Sequence, residues 1–163
     1  MLKKTTLMLL LTTPAISAEV EITGNVESKC VIQVDKSGVY GNPTADKLST
    51  ASASGGVTPI VRYDVAIADY YTARITYPNS FSTSPALNDT VTWTGSASVS
   101  SVSDAGMSAY DTNKVTYDNV TEFNLTVAGS TWFGIESVAE YGYGKAFPGG
   151  NYRSVIQAEC IAN

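Results

Sequence analysis

Two cysteines, ten tyrosines, 15 carboxylates and no histidine set what chemistry this 163-residue chain can do. Without an imidazole the commonest general base and the commonest metal ligand are both missing. Ser-His-Asp and Cys-His mechanisms are excluded with them. Carboxylate-pair hydrolysis stays formally open, but the acids are scattered and no strand end presents a pair, so a non-enzymatic protein with no cofactor is expected. Asp104, Asp111 and Asp118 recur in a Ser-rich stretch at a spacing that fits no EF-hand loop, and they read as solvated loop carboxylates rather than metal ligands. Cys30 and Cys160 are far apart and, in an exported chain, read as a disulfide rather than a nucleophile or a metal pair. Tyr70, Tyr71, Tyr141 and Tyr143 fall at turns, where aromatic faces can stack on sugars or anchor a protein; the competing reading has them covering sheet ends. Trp93 and Trp132 sit in alternating context and are expected in the core. Asn88, Asn119 and Asn124 each open an Asn-x-Thr triplet, the pattern of N-glycosylation acceptors.

The elements that must position these residues follow an address. Lys3 and Lys4, an apolar run at 5–13, Pro14 and small residues up to Ala18 have the layout of a secretory signal peptide. The run is about half the ~20 residues a membrane span needs. Residues 1–18 are therefore expected to leave, and residues 19–163 to form one soluble or surface-attached domain, long enough to bury a core. The net charge of −5 becomes more negative when the two lysines go. That balance argues against nucleic acid and anionic membranes as partners.

Strand signals dominate the rest. Residues 20–34 alternate, with Val20, Ile22, Val26, Cys30, Ile32 and Val34 on one face, and a bend is expected near Gly24 or Ser28 because so long a strand is unusual. Val61, Tyr63, Val65 and Ile67 alternate, as do Tyr71, Ala73, Ile75 and Tyr77, and the turn at Ala68-Asp69-Tyr70 predicts a hairpin. Further strands are expected at 90–99, from Val115, around Phe123, Leu125 and Val127, and over 131–141. Residues 79–89 read as a polar loop, and 98–113 as a Ser-, Asp- and Gly-rich loop with freedom to move. The last run puts Tyr152, Ser154, Ile156, Ala158 and Cys160 on one face. No segment carries a helical stripe, and turns every 8–15 residues predict an antiparallel sandwich. Both cysteines lie on apolar faces, so both sulfurs can enter one core, as bridging requires.

The opening EVEITGNVESKCVI resembles the first strand of chaperone–usher pilins. The Gly-flanked GVYGNP, Leu48, Gly55-Gly56, the strand PIVRYDVAIAD and the closing FPGGNYRSVIQAEC follow in the order that family shows, and spore-coat-U-like secreted proteins share the layout. The resemblance implies an all-β, immunoglobulin-like (pilin-like) β-sandwich. It also implies an exported structural or adhesive surface protein, in the periplasm, at the cell surface or outside the cell, whose partners would be other surface-fibre subunits or a periplasmic chaperone. The sequence departs from the family where a second Cys would sit near Ala68-Asp69, and Cys160 stands in for it. Cleavage after Ala18 would leave no extension ahead of the first strand, and a bond between first and last strands is expected to leave little room for an inserted strand, which predicts a self-complete monomeric sandwich, or at most a terminal subunit, rather than a repeating fibre subunit. The alternative function is a soluble binding module that takes a carbohydrate or protein ligand on the Tyr-rich loops.

Overall fold

The structure is a computed structural model, and it describes Thr23 and residues 29–163. The leader, its cleavage site and the bend expected near Gly24 or Ser28 lie outside the described residues.

Ten strands follow in order: β1 (Cys30–Lys36), β2 (Gly41–Thr44), β3 (Lys47–Ser49), β4 (Ile60–Val65), β5 (Tyr71–Thr76), β6 (Val91–Val102), β7 (Val115–Tyr117), β8 (Val120–Leu125), β9 (Gly129–Tyr141) and β10 (Gln157–Ala162). Between β6 and β7 a 3-10 turn at Ala105–Ala109 runs into one α-helical turn, α1 (Tyr110–Asn113). All pairings are antiparallel. The first sheet runs β1-β4-β9-β3-β2, with β6 on the other edge of β9; the second runs β10-β5-β8-β7. The architecture is the expected two-sheet, all-β sandwich.

β9 organises the first sheet. One edge pairs with β6 from Thr131 to Tyr141. The other pairs first with β4, from Gly129 to Gly134, and then with β3, from Val138 to Glu140. Between those segments Ile135 donates its N–H to Pro59 O, and Thr50 donates to Ser137 O, so the buried backbone stays satisfied. Alternation in β9 sends Phe133, Ile135 and Ala139 inward at 0 % exposure. Phe133 and Ile135 join the core cluster of Tyr63 of β4 and Phe123 of β8, whose rings lie 5.5 and 4.3 Å from that of Phe133. The Tyr63 hydroxyl crosses the core and donates to Arg74 O of β5 at 3.1 Å.

Three expectations need correction. β4 and β5 are not a hairpin: β4 pairs in the first sheet and β5 in the second. Val61, Tyr63 and Val65 turn inward, as do Tyr71, Ala73, Ile75 and Tyr77, but across the core from each other rather than side by side; Ile67 lies past the end of β4 and is exposed. The connection at 66–70 crosses between the layers, with Asp69 at φ 58° and its N–H given to Leu125 O. Trp132 lies outside the core, because Thr131 and Phe133 hold the inward parity of β9; it packs under Arg62, whose guanidinium carbon is 5.7 Å from the ring centre. The stretch 98–113 is structured. β6 continues through it to Val102, Asp104 accepts from Gly106 N at 2.7 Å, and Asp111 accepts from Val99 N at 3.0 Å. Met107 and Tyr110 are buried there. Two of the three aspartates thus have structural partners, and among the described residues no group of three acidic or sulfur side chains is placed to hold a metal.

Cys30 and Cys160 are bonded, with Cα atoms 6.3 Å apart. The bond joins the edge strand of one sheet to the edge strand of the other. No helix among the described residues is long and apolar enough to cross a membrane.

Candidate binding groove

The two strands joined by the disulfide each pair on one edge only, β1 with β4 and β10 with β5. Their other edges face each other. Away from the bond they diverge, because the chain before β10 leaves the second sheet: over 150–156 its one ladder contact is an isolated bridge from Arg153 to Thr83. A groove of about 720 Å³ opens between the walls, within the size range of ligand sites.

Parity explains the lining. Cys30, Ile32 and Val34 share the inward face of β1, but only the first two have cover. Val34 is 70 % exposed, whereas Val61 beside it on β4 is 6 % exposed. Val155, on the opposite wall, is 53 % exposed. Leu48 and Val61 form the apolar floor. The bond therefore fixes one end of the groove and does not close it. The expectation that it leaves little room for an inserted strand fails because the bonded strands belong to different sheets and are held close at one end only.

A second tie spans the far end. The Tyr40 hydroxyl bonds Ser154 Oγ at 2.6 Å and Ser137 Oγ at 3.0 Å, linking three segments around the groove. Behind it lies a cluster of rings. Phe81 has Trp93 at 4.6 Å, Tyr152 at 5.0 Å and Tyr40 at 6.4 Å, and Phe147 stacks on Tyr141 at 5.2 Å. Burial in this cluster, with Tyr141 adding a smaller electrostatic effect, raises the Tyr152 phenol above its ordinary value. The cluster anchors the wall that carries Arg153 and Val155. Trp93 is thus half-buried in a satellite core at one end of the sandwich.

The four tyrosines read as candidate contacts do not come together. Tyr71 and Tyr141 are buried, at 8 and 6 % exposure, while Tyr70 is 44 % exposed and Tyr143 fully exposed. Tyr70 sits at the end of the sandwich where Val65 pairs Gly129, and Tyr143 follows the opposite end of the 13-residue β9, about 40 Å along the strand. Tyr70 and Tyr71 do pack edge to face, with ring centres 4.9 Å apart, and this pair lies away from Tyr141 and Tyr143. Of the triplet asparagines, Asn119 gives its amide to Tyr77 O, and its Thr121 is 1 % exposed; Asn88 and Asn124 are exposed.

The groove residues Val34, Tyr40, Arg153 and Val155 were not singled out by sequence reasoning. One signal was present: Phe81 is a large apolar residue in a loop otherwise read as polar. Chemically the groove offers, among the described residues, apolar surface, hydroxyls and two cations, and no carboxylate of theirs lines it. Such a set holds an extended ligand by burial and edge hydrogen bonds. Compared with known proteins, the chain matches no family model, no curated protein and no solved structure.

Proposed function

We propose that this is an exported structural or adhesive surface protein, pilin-like in fold, whose working surface is the groove between β1 and β10, filled by an extended segment of a partner. The single observation that carries the reading is the inward face of β1, which lacks full cover among the described residues: Val34 is 70 % exposed beside Val61 at 6 %. An apolar strip between two free strand edges suits β-augmentation, in which backbone bonds give affinity and alternate side chains fill the strip. The partner would be another surface subunit or a periplasmic chaperone.

The full chain, expressed with its leader and purified from the exported fraction, tests this. A nine-residue peptide alternating Val and Thr should bind, and at 100 times its Kd should raise Tm by about 5–10 °C, the shift expected from ~2.7 kcal/mol of linkage. Labelling of intact cells should find the protein at the surface. No peptide binding with an unchanged melting curve, or a chain retained in the cytosol, overturns the reading.

A further inference from the structure

The groove has a charged end. Lys36 is six residues after Cys30 on one wall, and Arg153 is seven residues before Cys160 on the other. Both line the groove at the end away from the disulfide. Among the described residues neither is in an ion pair, whereas Lys47, Arg62, Arg74 and Lys114 each have an acidic partner. In a chain with 15 acidic residues against ten basic ones, the lining holds no Asp or Glu among the described residues. Asp35, the neighbour of Lys36, is engaged outside the groove, where it accepts from Trp132 Nε1 and approaches Arg62. Two unneutralised cations therefore flank one end of an apolar groove on an otherwise acidic molecule.

We propose that the occupant is an extended segment with apolar side chains at alternate positions and carboxylates clustered at the end that meets Lys36 and Arg153. This rests on the groove being a strand acceptor. It adds a register: apolar residues lie toward the disulfide, and the acidic end lies by Tyr40. Opposite charges at such a rim set orientation and speed of capture more than total affinity, and salt weakens them because both cations are exposed.

Three labelled peptides decide it by fluorescence anisotropy on the full-length protein: an alternating Val/Thr nine-mer, the same peptide with two glutamates at one end, and that peptide with glutamines in their place. The glutamate peptide should bind about tenfold more tightly than the glutamine peptide at low ionic strength, and the gap should close near 0.5 M salt. Lys36→Gln with Arg153→Gln should abolish the preference for the glutamate over the glutamine peptide. Lys145→Gln, which alters a cation outside the groove, should preserve the preference. Equal binding of glutamate and glutamine peptides overturns the charge reading and leaves the groove reading standing. Failure of all three peptides to bind overturns both.

Discussion

β9 and β1 both turn every second side chain toward the interior, yet only β9 has that face covered along its length. Phe133 and Ile135 are fully enclosed, while Val34 of β1 is 70 % exposed. The difference lies in what stands opposite. β9 is central and paired on both edges, and β8 and β5 of the second sheet lie across from it, supplying Phe123 and Ile75 to the same core. β1 is an edge strand, and the segment that should cover it joins the second sheet only at Gln157, three residues before Cys160. Alternation names the inward face, but the number of strands in the facing layer decides whether that face is buried.

The sharpest way to test the comparison is at the disulfide, which ties the weak edge. Replacing Cys30 and Cys160 by serine should lower the unfolding free energy by about 4–5 kcal/mol, read from a denaturant midpoint, because the closed loop spans 130 residues. A loss below ~1 kcal/mol would mean that β1 is held by its β4 ladder alone. Next in size, Phe133→Ala should cost about 3–5 kcal/mol by opening a cavity at the centre of the core.

Tyr63→Phe is smaller. It removes one hydrogen bond between the sheets, worth about 1 kcal/mol. It should also change the alkaline limb. Burial raises the Tyr63 phenol above its ordinary value of 10.0. Its contribution is whole below pH 10 and falls as pH rises further, since the unfolded chain releases the proton first. Stability measured from pH 9 to 11.5 should therefore drop less steeply in Tyr63→Phe than in the parent. Smallest is Val34→Thr, expected to change stability by less than ~0.5 kcal/mol while weakening peptide capture. A cost near that of Phe133→Ala would show that the β1 face is covered after all.

Much of this was legible in the chain. The period-2 pattern named the inward residues of β4, β5, β8 and β9, and face parity paired Cys30 with Cys160. Strand partnership was not legible. Tyr71, Ala73, Ile75 and Tyr77 look the same whether β5 sits beside β4 or across from it, because both arrangements bury the same set. The connection at 66–70 suits either. The outward Trp132 was misread for a related reason, since its neighbours Thr131 and Phe133 leave the parity of β9 open until its register with β4 is known. The groove was hidden because it depends on how far β1 and β10 diverge beyond their shared disulfide, and no residue encodes that locally.

The position of the disulfide also sets how the domain meets a pull. Cys30 opens the first described strand and Cys160 lies within the last. Tension entering the chain ahead of Cys30 and leaving after Cys160 runs through two sulfur atoms and bypasses the 130-residue loop they enclose. The ladders of both sheets stay slack under that load, so a domain of ordinary thermodynamic stability resists stretching to the strength of a covalent bond.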